Sequence, residues 1–219
     1  MDAHALVVEK ESADHAPIIN VLPASPIIRS LLPTFLDPST GEAAMQANVE
    51  SLTAEVVSVA KQRNEKLQKV SVTLVPILRG ALPMYVGASR LFNSPSCVLV
   101  RGSRAKEDGT GPRIEWFGRR PFPLIPEDGH IILLDTVIAT GGTILKICDE
   151  LLALSGSREK YITVLACYVS PIGIQAVAKH PLIREIIVAA KADSVDENGY
   201  VVPYPGDIGD KLFGKAVSS

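Results

Sequence analysis

The sequence predicts an α/β fold built on a mainly parallel sheet with helices on both faces. Three observations point there. The segments at 70–75, 130–134 and 161–169 are apolar or β-branched with little of the two-residue alternation that a half-exposed strand shows, so they read as strands buried on both faces. Helical patterns lie between them, and strands alternating with helices imply parallel pairing. A chain of 219 residues suits one such domain with elaborations better than two.

Residues 1–17, MDAHALVVEKESADHAP, place acids and histidines where a signal peptide needs a basic region and a long apolar run. They are expected to form a flexible arm, with residues 18–219 as a single domain. The stretch INVLPASPIIRSLLPTFLD has too many prolines for one long helix and is expected to wrap the surface in short pieces. Beyond it, Ala44, Ala47, Leu52, Val56, Val59 and Ala60 fall mostly on one side of a helix that Ser39 or Thr40 would cap, its apolar face turned to the core. A strand from Val70 to Val75 leads through the turn PILRGALP into a helix over MYVGASRLF, then a short strand over SCVLVR. The charged, glycine-containing stretch from Arg101 to Phe122 reads as a mobile loop or hairpin. HIILLD is a buried strand followed by a helix, YITVLACYVS another strand, PIGIQAVAKHP a helix opened by proline, and REIIVAAKAD a last strand before the tail at 193–215.

Hydrophobic residues make up 47% and charged residues 21%, as a well-buried core requires. A net charge of −2 excludes bulk electrostatic attraction to nucleic acid or a membrane surface, while leaving local basic patches open. No apolar run approaches the roughly 18–20 residues of a membrane helix. Cys97, Cys148 and Cys167 stand in or beside apolar runs without metal-ligand spacing, so they are expected to be buried, reduced thiols of a cytoplasmic protein.

The chemistry concentrates in HIILLDTVIATGGTILKICDELL, residues 130–152. A buried strand delivers Asp135 to its carboxyl end, where open α/β sheets bind ligands. The stretch ATGGT then opens a helix, whose unsatisfied N–H groups and partial positive charge favour a phosphate. Gly141 and Gly142 let the backbone come close, and Thr140 and Thr143 add hydroxyl donors. Asp135 is placed to accept hydrogen bonds from sugar hydroxyls, so the combination suits a sugar phosphate. The plainer alternative is a tight strand-to-helix turn capped by Thr143. Neither the G-x-x-x-x-G-K-[ST] loop nor G-x-G-x-x-G spacing is present.

ILLDTVIATGGT resembles the phosphoribosyl pyrophosphate (PRPP) motif of the type I phosphoribosyltransferases, most nearly the uracil phosphoribosyltransferases. VPILRGALPM is similar to that family's VPILRAGLGM, SPIGIQAVAKHP to its APEGIEALEKAHP, and ENGYVVPYPGDIGDKLFG to its tail ENGYIVPGLGDAGDRLFG. The likeness runs from about Val70 to Lys215. It implies the type I fold with a C-terminal base-binding hood and a mobile loop, and transfer of the 5-phosphoribosyl group of PRPP to uracil, giving UMP and pyrophosphate. Two alternatives stay open: the same transfer to a different base, and a non-catalytic sensor of PRPP or a nucleotide.

By resemblance, Asp135 holds the ribose hydroxyls and Ala139, Thr140, Gly141, Gly142 and Thr143 the 5′-phosphate. Thr136 fits the uracil branch, which has a single acid at the sugar. Arg79 and Arg101 match arginines that contact pyrophosphate, with Arg104 and Lys106 nearby. The base is read by backbone groups around Val201, Gly206 and Ile208, with Tyr200 lining the pocket and Asp207 beside the reacting centre. Asp207 either orients the base or takes its proton, or else it caps a turn. The resemblance further implies Mg²⁺ bound mainly through PRPP oxygens, with no protein side chain expected as a metal ligand, and a homodimer or larger homo-oligomer. It raises GTP, an activator of some family members, without deciding it. Neither a nucleic-acid nor a membrane partner is expected. The chain departs from the family at PYPGD, residues 203–207, where the family has PGLGD, in its longer and more basic loop, and in lacking an ETPLG hairpin before Val70. By the resemblance, these departures bear on base identity and on the geometry of the oligomer.

Overall fold

The computed structural model describes residues 17–22, 25–103, 111–118, 129–155, 161–203 and 206–215, so all but the last residue of the expected arm at 1–17, and the loop residues Arg104 and Lys106, lie outside it. The proline-rich stretch is divided into short pieces, as expected, and the described pieces are regular elements that in part enter the core. Ile18–Val21 (β1) is a strand and Pro26–Leu36 (α1) a helix. Pro26 sits in the first turn, where a missing N–H costs nothing, and the Ser25 side chain accepts from the Ile28 amide. Pro33 removes one helical hydrogen bond inside α1, but Ile28 and Phe35 are fully buried and Phe35 meets Tyr168 edge-on at 5.8 Å. Apolar burial outweighs the missing bond.

Glu42–Arg63 (α2) is the expected helix with a different cap and a rotated face. Gly41 is its N-cap, while Ser39 Oγ donates to Asp37 and Thr40 Oγ1 to the Thr34 carbonyl. The buried stripe is Met45, Val49, Leu52, Val56 and Ala60, and Ala44 and Ala47 are exposed. Methionine and valine gain more from burial than alanine, which sets the rotation. The face is core, as expected.

A short 3₁₀ turn, Glu65–Gln68, leads to Val72–Leu78 (β2), Leu82–Ser89 (α3), Ser96–Cys97 (β3) and Val100–Ser103 (β4). Arg113–Trp116 (β5), His130–Ile138 (β6), Gly142–Ser155 (α4) and Ile162–Val169 (β7) follow. Pro171–Val177 (α5), Ile183–Lys191 (β8), Ser194–Val195 (β9), Val201–Val202 (β10) and Ile208–Phe213 (α6) complete the order. Among the described residues the main sheet runs β1-β8-β7-β6-β2-β4-β5, with β3 beside β2. Every pairing in it is parallel except β4 with β5.

Alternate residues of each central strand serve two separate cores. Leu74, Ile132, Leu134, Leu165 and Ile187 pack with α1, α2 and α3. Val75, Leu133, Val164, Ile186 and Val188 pack with Ile144, Ile147 and Leu151 of α4 and Ile174 and Val177 of α5. Cys148 and Cys167 are buried within these layers, and burial pushes both thiols up to about 12. Cys97 is half-buried.

The stretch expected as a loop or hairpin has the arms of a hairpin, β4 pairing antiparallel with β5. Trp116 anchors it: its indole N–H donates to Glu150 of α4 at 2.7 Å. Glu150→Ala is expected to cost about 1–2 kcal/mol by leaving that half-buried donor unpaired. A fall in thermal midpoint would show it, with Glu150→Gln, which keeps an acceptor, losing less.

Candidate active site

Two strands open the site by parting. β2 and β6 stay in register from Val72↔His130 to Pro76↔Leu134 and pair no further. Pro76 has no N–H to continue the ladder, and the next residues of β2 turn to β4, Ile77 facing Val100. β6 meanwhile continues along β7 to Ile138↔Val169, so it does not end at the carboxylate as the sequence suggested. The connection after β2 leads outward to β3 and β4 and the one after β6 leads the other way to β7. Their carboxyl ends therefore flank the switch point of the sheet, where a crevice forms.

That crevice has two adjoining parts, of about 370 and 530 Å³, which share Asp135, Val137, Thr143, Asp207 and Ile208. The first is lined by Ala139, Thr140, Gly141, Gly142 and Thr143, facing Asn198–Val201 and Gly206 of the tail. The second is lined by Arg79, Gly80, Arg101 and Gly102. One trough thus carries the expected phosphate loop at one end and two arginines at the other, with Asp135 common to both.

The loop at 139–143, expected to hold the phosphate, is shaped from behind by α5. Gly141 has φ +78°, a left-handed conformation that side chains with a Cβ resist. Ser170, buried at the N-cap of α5, accepts from the Gly173 amide at 2.9 Å and donates its hydroxyl to the Ala139 carbonyl. Gly173 lies so close beneath that a Cβ there would stand 2.4 Å from the Ala139 oxygen. Ser170 and Gly173 were missed as site residues. Their signal was the Ser-Pro-x-Gly opening of SPIGIQAVAKHP, which reads locally as a helix start and only in three dimensions as a buttress.

Asp135 stands partly accessible on the floor. Desolvation dominates its titration and pushes the carboxyl up to about 7, against backbone hydrogen bonds from Val137 and Thr136 that lower it. Thr136 is a correction. Its side chain is fully buried and Oγ1 donates to the Gly80 carbonyl at 2.8 Å, so it ties β6 to the arginine turn instead of facing a ligand. Along a strand successive side chains point to opposite faces, and Val137 takes the ligand side with Asp135.

Arg79 follows a cis Leu78–Arg79 peptide and pairs with Asp210 of α6 at 2.6 Å. Arg101 faces Glu115 across β4 and β5 at 3.5 Å and lies 5.2 Å above the Phe117 ring. At the tail, β9 and β10 form a small antiparallel pair that places Tyr200 and Val201 on the cleft wall. Asp207 lines the cleft and is also the N-cap of α6, accepting from the Gly209 and Asp210 amides at 2.8 and 3.2 Å. Of the two readings left open for it, the capping contact is the one the geometry displays. Tyr204 and Pro205, the substituted residues of PYPGD, lie outside the described residues.

The family model of uracil phosphoribosyltransferase matches residues 39–215. The uracil phosphoribosyltransferase of Ureaplasma urealyticum serovar 10 is 28% identical over 206 residues, 86% of this chain and 96% of its own. That of Acinetobacter baylyi is 34% identical over 159 residues, 71% of each chain. Among solved structures, the AQ2163 protein from Aquifex aeolicus is similar with a TM-score of 0.75 at 22% identity, covering 92% of this chain and 100% of the other. An adenine phosphoribosyl transferase from Trypanosoma brucei, in complex with AMP, pyrophosphate and ribose-5-phosphate, reaches 0.56 at 16% identity, over 86% and 87% of the two chains. These two likenesses speak for the fold. A family match reaching from before α2 to beyond α6 takes in the phosphate loop, both arginines and the tail, and by it the chain belongs to the uracil phosphoribosyltransferase family.

Proposed function

We propose that this protein transfers the 5-phosphoribosyl group of PRPP to uracil, forming UMP and releasing pyrophosphate. The observation that carries the reading is the single trough, with a phosphate loop at one end, arginines at the other and Asp135 between them. Its order matches the order of groups along PRPP: 5′-phosphate, ribose, diphosphate. In the transfer, the ring nitrogen forms a bond to C1′, the bond from C1′ to the diphosphate oxygen breaks with its electron pair leaving on pyrophosphate, and the nitrogen gives its proton to water. C1′ gains cationic character between these events. Ionised Asp135 accepts from the ribose hydroxyls, the 139–143 loop holds the phosphate, and Arg79 and Arg101 receive the growing negative charge.

Magnesium suits this donor set. Among the described residues Asp135 and Asp207 are the carboxylates on the cleft wall, and Asp207 is already engaged as a cap. The protein would therefore supply at most an oxygen of Asp135, and PRPP oxygens and water would supply the other ligands, as Mg²⁺ prefers. When bound, the ion neutralises charge on the diphosphate. The proposal includes a homo-oligomer and a cytoplasmic location, the latter in keeping with free thiols at Cys97, Cys148 and Cys167. Among the described residues no helix is long and apolar enough to cross a membrane.

The test is an assay of purified protein with Mg²⁺ and PRPP against a panel of bases, with and without GTP, detecting nucleotide by mass. UMP from uracil is the expected product. A nucleotide from another base would locate a change of specificity at residues 203–207, and PRPP binding without any product would support a sensor. Arg79→Ala is expected to lower kcat by about a hundredfold with little change in KM for uracil. Wild-type turnover in that variant would remove Arg79 from the leaving-group end.

A further inference from the structure

We infer that Asp210 is a positioning residue: from outside the cleft it aims the Arg79 guanidinium at the diphosphate, tying the base-binding helix α6 to the leaving-group end. The inference rests on the assignment of Arg79 to pyrophosphate given above. Asp210 Oδ1 accepts from Arg79 Nη2 at 2.6 Å, a short charge-assisted bond. Arg79 lines the cleft and Asp210 does not. The carboxylate thus engages one amino group from behind, and a guanidinium with five N–H donors keeps others for the ligand.

The surroundings make this a fixed joint. Gly209 lies under the guanidinium: a Cβ there would sit 3.6 Å from both Nε and Nη2 of Arg79, so the arginine crosses the first turn of α6. One residue along, Gly80 packs on Ile208, whose Cγ2 would be 3.1 Å from a Cβ at position 80. The Gly80 carbonyl is in turn held by Thr136 of β6 at 2.8 Å. The arginine turn is therefore clasped between the strand carrying Asp135 and the helix that closes the base pocket. Arg101 is held more loosely, 3.5 Å from a Glu115 that is itself more than half exposed. The Arg79–Asp210 pair is about 40% exposed on each side, so its worth lies in geometry more than in stability. The opposite role, an acid competing with the ligand for the arginine, would put Asp210 on the cleft wall and make its removal tighten anion binding.

The test is calorimetric titration with inorganic pyrophosphate of the wild type, Asp210→Asn, Asp210→Glu, Arg79→Ala and the Asp210→Asn/Arg79→Ala double variant. Ribose 5-phosphate serves as the control ligand for the intact phosphate loop. Expected are an about tenfold weaker pyrophosphate affinity in Asp210→Asn, partial recovery in Asp210→Glu, unchanged ribose 5-phosphate affinity, and no further loss when Asp210→Asn is added to Arg79→Ala. Wild-type or tighter pyrophosphate binding in Asp210→Asn overturns the inference, as does a full additional loss in the Arg79→Ala background. If the wild type fails to bind pyrophosphate, or Arg79→Ala binds it normally, the assignment of Arg79 falls as well. Sensitivity to Arg79→Ala without sensitivity to Asp210→Asn removes this inference alone.

Discussion

Gly141→Val is expected to weaken PRPP binding by about a hundredfold or more while the sheet still forms. The residue sits at φ +78°, where an L side chain costs roughly 1–2 kcal/mol and a β-branched one more. Space is short as well: a Cβ at 141 would stand 2.7 Å from Val177 Cγ2 and 3.1 Å from the Gly173 carbonyl. Relief requires lifting the loop off α5, which turns the amides of residues 139–143 away from the phosphate. The mutation acts at the mouth of the crevice, outside the strand ladders, so circular dichroism should keep its shape and the melting point should fall by an amount matching a few kcal/mol. PRPP titration calorimetry reads the functional loss. Wild-type affinity in this variant would remove the phosphate loop from the site.

Asp135→Asn should abolish most activity and yet stabilise the protein. The folded-state carboxyl titrates at about 7, above its ordinary 3.8, because burial penalises the charged form. An acid raised in this way binds more protons folded than unfolded between those two values, so its contribution to stability declines as pH climbs through that window. Removing the charge therefore relieves up to about 4 kcal/mol at pH 8 and less than about 2 at pH 5. Melting curves of the two proteins should diverge with rising pH, opposite to the loss of an ion-paired aspartate. Ligand binding moves the other way. Accepting from ribose hydroxyls favours the ionised form, so KM for PRPP is expected to rise below pH 7 in the wild type. A variant equally destabilised at all pH values would contradict the desolvated state of Asp135.

The turn from strand to helix beside the cleft was legible because its parts are contiguous: strand, carboxylate, glycines and helix start occupy residues 130–145 and need no distant partner to be recognised. The buried strands were legible for the same reason, since their apolar runs match a sheet covered on both sides. What escaped depends on contacts remote in sequence. Thr136 looks like a ligand until Gly80, 56 residues away, is found to take its hydroxyl. Ile18–Val21 carries little sign of a strand until β8 supplies an edge to extend. The apolar face of α2 was misplaced by counting alanines equally with Met45 and Val49, whose larger area decides which side turns inward. For Asp207, local sequence allowed both a cap and a chemical group, and only the start of α6 shows the amides it holds.

Trp116 is the only tryptophan in the chain, and it stands next to the machinery. It pairs with Val100 on the strand that carries Arg101, while its indole is fixed to α4, the helix that begins at the phosphate loop. Intrinsic fluorescence is therefore a site-specific optical probe without labelling. If the diphosphate docks at Arg101 as proposed, it changes the electric field close to the pair Val100–Trp116, and the emission is expected to respond on the timescale of arrival. Stopped-flow mixing with PRPP alone, with base alone, and with each after the other would then give the order in which the two substrates load.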